Sequence, residues 1–245
     1  MCCAPLITVI TVVYNDVSHI EQTMLSVLNQ SYPHIEYIII DGGSTDGTVD
    51  IIKKYADRLA YWVSERDGGI YPAMNKGLEH ATGEWVSFMN SADAFADNNV
   101  LQEIFGEGGN LSIINCQSSI EPLRLIGGNT INFFPDGHEE THHAEPANVI
   151  PERLPFSHQA SFVKRECCHF DESYRYAADY ALFYEIYHKY GPDSIRTINR
   201  AIARYRQEDS TTMVNAKKVK GEYLRIQSSH RTCRWWKEYL KWRWL

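Results

Sequence analysis

The chain has 245 residues, of which 44% are hydrophobic and 22% charged, with a net charge of −7. This is ordinary globular composition. It excludes a disordered chain, and the length suffices to bury a core without a disulfide scaffold. The acidic balance argues against a general nucleic-acid binder, but it is uneven. Residues 196–245 hold 13 Lys and Arg against 4 Asp and Glu, a balance of +9, which leaves −16 on the rest. An acidic body with a basic tail suits contact with an anionic surface.

The six cysteines form no Cys-x-x-Cys, and the adjacent pairs Cys2-Cys3 and Cys167-Cys168 suit neither a zinc knuckle nor a disulfide framework. Reduced thiols in a cytoplasm are expected. No stretch approaches the roughly 18 apolar residues that span a bilayer. The apolar run at 6–13 is too short for the core of a signal peptide.

Residues 6–13 are a continuous, largely β-branched run, as in a strand buried on both faces of a parallel sheet. Tyr14-Asn15-Asp16 breaks it. Ser18, with Glu21 three residues on, reads as the capping box of a helix carrying Ile20, Met24, Val27 and Leu28. Residues 37–40 are a second buried strand, followed by a Gly/Ser/Asp loop and a helix with Val49, Ile52 and Tyr55 inward. Residues 59–63 read as a third strand, 70–81 as a helix after Gly68-Gly69, and 84–89 as a fourth strand. The β-α-β-α-β-α-β order to about residue 95 implies a parallel, helix-covered sheet. Four polar clusters follow the strand ends: Tyr14-Asn15, Asp41 to Asp46, Glu65 to Gly69, and Asn90 to Asp93. Ligands of open α/β sheets bind at those ends.

Beyond residue 110 the pattern loosens. Residues 111–150 predict a smaller sheet with loops, 171–190 a helix entered through Tyr176-Ala-Ala-Asp-Tyr180, and 195–205 a late strand. His138, His142 and His143 stand among Asp136, Glu139, Glu140 and Glu145, but their spacing matches no zinc pattern, so a solvated acceptor-side loop is expected. In the tail, Trp235, Tyr239, Leu240 and Trp242 alternate with Lys and Arg, as in an amphipathic helix lying at a lipid interface; a terminal helix docked on the domain is the alternative.

There is no Gly-x-Gly-x-x-Gly and no Gly-x-x-x-x-Gly-Lys-[Ser/Thr], so a metal with oxygen ligands is the expected holder of any phosphate. Asp93 is the candidate ligand, because a carboxylate after a buried strand costs free energy unless it is paired or binds a cation. A helix N-cap is its structural alternative.

Five segments fall in one order: Ile10-Thr-Val-Val-Tyr-Asn15, Asp41-Gly-Gly-Ser-Thr-Asp-Gly-Thr48, Asp67-Gly-Gly-Ile-Tyr-Pro-Ala-Met-Asn-Lys-Gly77, Thr82-Gly-Glu-Trp85 and Asn90-Ser-Ala-Asp93. Together they resemble the family-2 glycosyltransferases, in particular the bacterial enzymes that build O-antigen, capsule and colanic-acid-type polysaccharides. The resemblance covers roughly residues 6–100, with a second island at 155–190. It implies an α/β GT-A fold: a Rossmann-like, mostly parallel central sheet flanked by helices, a smaller acceptor-side subregion and a C-terminal amphipathic helix. Residues 1–210 would form the domain, with 1–100 binding the nucleotide sugar and 101–210 the acceptor, and 211–245 the tail.

The resemblance also implies roles. Thr11 and Tyr14 would line the nucleotide pocket, Tyr14 stacking on the base. Asp41 would meet the base or ribose, and Asn15, Ser44 and Ser91 would complete the donor site. Asp67, Asn75 and Lys76 would face the sugar-diphosphate, and Asp93 would bind Mn²⁺ or Mg²⁺. In the second island Asp179 would be the general base, with an N-cap as its bland reading, and His158 and Gln159 would stand on the acceptor or diphosphate side. Ala92 and Pro72 depart from the acidic residues that relatives often carry there. The implied reaction is inverting transfer from a nucleoside diphosphate sugar, UDP favoured, to a polyprenyl-linked glycan, at the inner face of the cytoplasmic membrane. The rivals are a non-catalytic sugar-nucleotide or glycan-binding module and a nucleotidyltransferase; the latter usually has a Gly-rich basic loop where Tyr14-Asn-Asp-Val-Ser18 stands.

Overall fold

The computed structural model describes residues 4–106, 122–134, 136–207, 215–230, 235 and 239–242. The first half alternates as its sequence predicts: β1 (Ile7–Val13), α1 (Ile20–Leu28), β2 (Ile35–Asp41), α2 (Thr48–Lys54), β3 (Tyr61–Ser64), α3 (Ile70–His80) and β4 (Trp85–Phe88). A short β5 (Ala94–Phe95) and α4 (Val100–Phe105) follow. The second half supplies β6 (Leu125–Phe133), β7 (Glu139–His142), β8 (Ser161–Lys164), α5 (Ala178–Tyr190), β9 (Ile195–Arg206) and α6 (Ala216–Ile226).

The nine strands among the described residues join one sheet, in the order β3-β2-β1-β4-β8-β6-β9-β5, with β7 beside β6. The pairings β1–β2, β1–β4 and β2–β3 are parallel, as expected for buried β-branched runs joined by helices. The second half differs from expectation in two ways. It continues the same sheet rather than forming a smaller one, and it is mixed. Strand β8 is antiparallel to both β4 and β6, β7 is antiparallel to β6 and β5 to β9, and only β6–β9 is parallel. The segment at 138–142, read as a loop, is an exposed edge strand.

Strand β1 is buried along its whole length because each face has its own helices. Ile10 and Val12 pack with Ile38, Ile40, Met74 of α3 and Phe183 of α5. Ile7, Val9 and Val13 pack with Met24 and Val27 of α1, Ile52 of α2 and Leu101 and Ile104 of α4. Burying each such side chain is worth roughly 1.5–3 kcal/mol. Helix α3 lies close on β1 because Gly77 has no side chain: a Cβ there would meet Ile10 Cγ2 at 2.6 Å.

Ser18 does not cap α1; the N-cap is His19, without a side-chain cap bond. Asp16 serves instead, its carbonyl accepting from Ile20 N at 3.1 Å. Helix α5 begins at Ala178 rather than 171, and Asp179 lies inside its first turn, not at its N-cap.

The start of the tail is bound to the domain. Glu222 of α6 accepts N–H bonds from Arg175, Tyr176 and Ala177 at 2.8–2.9 Å. Tyr223 stacks on Tyr180 at 4.2 Å. Trp235 and Trp242, expected at a lipid interface, donate their indole N–H groups to Leu224 O and Lys217 O of α6. The rest of the expected amphipathic helix, at 231–234, 236–238 and 243–245, lies outside the described residues, as do Cys2, Cys3, Cys116 and Cys233. Cys167 and Cys168 are free thiols. No helix among the described residues is long and apolar enough to cross a membrane.

Candidate active site

The loops after β1, β2, β3 and β4 meet at one edge of the sheet, and hydrogen bonds between them hold the meeting point. Asn15, at a left-handed φ of 49°, donates its N–H to Ser44 Oγ at 2.7 Å and accepts from Thr45 N at 2.9 Å. Asp16 accepts from Ser91 Oγ at 2.6 Å, which ties the β1 loop to the Asn90–Asp93 loop. Asn15, Ser44 and Ser91 are thus brought together, with their polar groups joining loops.

Asp41 is fully buried. It accepts from Gly43 N, Ser44 N, Ser44 Oγ and Ser64 Oγ at 2.5–3.1 Å, so its carboxylate organises the loop. Tyr14 is 65% exposed at the mouth. Gly42 lies between Tyr14 and Asp67: a Cβ there would stand 2.8 Å from Asp67 Oδ2 and 3.3 Å from the Tyr14 ring. Asp67 accepts from Gly69 N at 2.9 Å, and Lys76 reaches Glu65 at 2.7 Å. The Glu65 carboxylate, aided by Asp67, raises the Lys76 pKa.

Two residues given donor-side roles have their polar groups engaged within the protein. Thr11 is fully buried, its hydroxyl donating to Met89 O at 2.7 Å and lying 2.9 Å from Tyr37 Oη, so it belongs to the sheet. Asn75 is also buried. Its amide bonds Phe170 N, Phe170 O and Glu172, and so pins α3 to the loop at 170–172.

Asp93 is 5% exposed. Gln159 Nε2 donates to its Oδ2 at 3.0 Å and Arg206 N to its Oδ1 at 3.4 Å. Burial nevertheless dominates and pushes its pKa up to about 7; Asp16 adds to the rise, while His158, Gln159 and Arg206 oppose it. The carboxylate is therefore short of positive charge, which is the condition of a cation ligand. No group of three His, Cys, Asp or Glu able to enclose a metal exists among the described residues. An ion of the Mg²⁺ type needs only one or two protein carboxylates, with phosphate and water filling its shell.

Asp179 completes the arrangement from the other half. Its side chain and that of His158 are 13% and 15% exposed, and its Oδ2 lies 3.2 Å from His158 Nδ1. Its Oδ1 accepts from Tyr180 N at 2.8 Å and Tyr71 Oη at 3.4 Å. The other nitrogen of His158 meets Asn90 Nδ2 at 3.1 Å. His158 and Gln159, neighbours in a 3-10 turn (His158–Ala160), therefore touch Asp179 and Asp93 respectively. Asp16, Tyr71 and Asn90 take part without having been singled out. Tyr71, two residues after Gly69, carried no sequence signal beyond its motif.

A cavity of about 500 Å³, lined in part by His169, Tyr184, His188 and His230, lies beside α5 and involves none of these residues.

Residues 8–110 match the family model described as Glycosyl transferase family 2. Rv1514c of Mycobacterium tuberculosis, named an uncharacterized glycosyltransferase, is 43% identical over 104 residues, 42% of this chain and 40% of that protein. TuaG of Bacillus subtilis, provisionally assigned to teichuronic acid biosynthesis as a glycosyltransferase, is 42% identical over 103 residues, 41% of each chain. The matched region thus spans about two-fifths of these relatives. Among solved structures, S. aureus TarS 1–349 in complex with UDP-GlcNAc superposes with a TM-score of 0.66 at 19% identity, covering 91% of this chain and 66% of that one. The mannosyltransferase PcManGT from Pyrobaculum calidifontis, in complex with GDP-Man and Mn²⁺, gives 0.64 at 19% identity, covering 92% and 64%. At such identities the likeness is one of fold.

Proposed function

We propose, from the premise that the chain carries a Glycosyl transferase family 2 domain on a GT-A fold, that it transfers a sugar from a nucleoside diphosphate sugar to a hydroxyl of a glycan acceptor, with inversion. The observation that carries this reading is the turn His158–Ala160, through which the desolvated carboxylate of Asp93 and the carboxylate of Asp179 contact adjacent residues. One carboxylate suits a cation and its phosphates, the other a proton.

Tyr14 offers its exposed ring to the base. Asp67 stands near it across Gly42, whose missing side chain leaves room for both, and Lys76 is held by Glu65. Asp93 would hold Mn²⁺ or Mg²⁺, which when bound neutralises the diphosphate as leaving group. Asp179 takes the proton of the acceptor hydroxyl as its oxygen bonds to the anomeric carbon and the bond to the diphosphate breaks.

A polyprenyl-linked acceptor at the cytoplasmic face of a membrane is part of the proposal. The basic balance of residues 196–245 supports it, because anionic lipid attracts Lys and Arg. Trp235 and Trp242 turn their indole N–H groups to α6.

The test is thermal stability of the purified protein with UDP, GDP and dTDP, each with and without Mn²⁺. A ligand confined to the folded state adds about 2.7 kcal/mol at one hundred times its Kd. A shift with one nucleotide that needs the metal and is lost in Asp93→Ala names the donor class. No shift with any nucleotide overturns the reading in favour of a non-catalytic module.

A further inference from the structure

We infer that His158 is the positioning residue of Asp179, held in one tautomer by Asn90 so that its Nδ1–H fixes the carboxylate. The inference rests on the reading of Asp179 as the base.

The argument is one of donors and acceptors. A carboxylate only accepts, so the 3.2 Å contact of His158 Nδ1 with Asp179 Oδ2 requires a proton on Nδ1. A neutral ring then presents Nε2 as an acceptor, and it needs a donor. Asn90 Nδ2 stands in that place, at 3.1 Å, while Asn90 Oδ1 is buried without a partner among the described residues; the tautomer is therefore what the first measurement below reads.

Three elements converge on Asp179. Tyr180 N, from its own helix, donates to Oδ1, as does Tyr71 Oη from α3. His158, from the turn before β8, takes Oδ2. The ring also joins the carboxylate to the Asn90–Asp93 loop, so the base is referenced to the loop that carries the donor-side carboxylate. Such outer contacts orient a group that does chemistry and cost about 10–100-fold when removed.

Two measurements test this. The first needs no substrate: side-chain ¹⁵N NMR of histidine-labelled protein, assigned with His158→Gln. His158 is expected as the neutral Nδ1–H tautomer in the wild type and to lose that preference in Asp179→Ala. An Nε2–H ring in the wild type overturns the inference whatever the activity. The second uses whichever of UDP-GlcNAc, UDP-glucose and GDP-mannose the wild type consumes. An Asn amide nitrogen replaces Nδ1, whereas a Gln amide nitrogen replaces Nε2. His158→Asn should therefore retain more turnover than His158→Gln or His158→Ala, which should lose about 10–100-fold in kcat. Nucleotide Kd and its Mn²⁺ dependence should stay within twofold. Weakened Mn²⁺-dependent nucleotide binding, or equal loss in the Asn and Gln variants, overturns the positioning role. A wild type that binds no nucleotide defeats the proposed function, while the tautomer measurement still decides the contact.

Discussion

Gln159 Nε2 donates to Asp93 Oδ2 at 3.0 Å, with both side chains almost wholly buried. A neutral amide is a weak counterpart for a buried carboxylate, and the consequence is an acid whose pKa stands near 7 instead of its ordinary 3.8. In the unfolded chain Asp93 releases its proton near 3.8. In the folded, metal-free protein it keeps it to about 7. Between those values the folded state binds more protons, so stability falls as pH rises through the window, and the cost is fully present above about pH 7. At about 1.36 kcal/mol per unit the ceiling is about 4 kcal/mol. Asp93→Asn should remove most of this fall while abolishing metal-dependent nucleotide binding. Urea unfolding at pH 5 and pH 8 checks it: a wild-type stability that rises over that range, relative to Asp93→Asn, contradicts the assignment.

Gly42 should be indispensable to the donor side and nearly neutral for the fold. Its Cβ position is 2.8 Å from Asp67 Oδ2, so Gly42→Ala must push that carboxylate aside, and the 3.3 Å approach to Tyr14 disturbs the ring as well. Both neighbours are at the surface of the loops, where displacement costs little stability, typically under about 1 kcal/mol. Calorimetric titration with the nucleotide that shifts the wild type should show at least a tenfold weaker Kd. Unchanged affinity would separate Asp67 and Tyr14 from the donor site.

Ala92 has a left-handed φ of 75°, a conformation that costs a residue with a Cβ about 1–2 kcal/mol. Ala92→Gly removes that cost and forfeits about 0.5–1 kcal/mol of chain entropy. A net gain on the order of 0.5–1 kcal/mol is expected, visible as a small rise in Tm. Because Ala92 sits between Ser91 and Asp93, the strain lies in the loop itself, where outliers cluster at ligand-binding positions. A lower Tm for Ala92→Gly would show that the loop does not need the left-handed residue.

The first half of the fold was legible because burial there is written locally. Runs such as 37–40 can only be strands between two apolar layers, and each is followed by its own polar loop. The order of the strands after β4 was not, since β8 enters between β4 and β6 through antiparallel pairs that span distant segments. The same limit governs the site. Asp93 and Asp179 stood out as carboxylates in motif positions, but a motif does not say which polar groups turn inward. Thr11 and Asn75 look identical in sequence whether they meet a ligand or a backbone, and their partners at Met89 and Phe170 lie 78 and 95 residues away. Nor does spacing show that Tyr71 reaches Asp179 or that Asn90 reaches His158.

Glu222 links the tail to the chemistry. One carboxylate accepts three successive N–H groups, from Arg175, Tyr176 and Ala177, at the entrance to the helix that carries Asp179. Those donors precede the first turn, where N–H groups have no partner within the helix and where a negative charge also meets the positive end of the helix dipole. Bonds to a charged acceptor are worth about 1.5–3 kcal/mol each, and they are not additive. Glu222→Ala should lower stability by about 2–4 kcal/mol and reduce turnover, while nucleotide affinity on the β1–β4 side stays near wild type. Glu222→Gln keeps an acceptor oxygen without the charge and should fall between. Parallel unfolding, nucleotide titration and turnover measurements separate the cases. Full activity and stability in Glu222→Ala would mean that Asp179 keeps its place without α6.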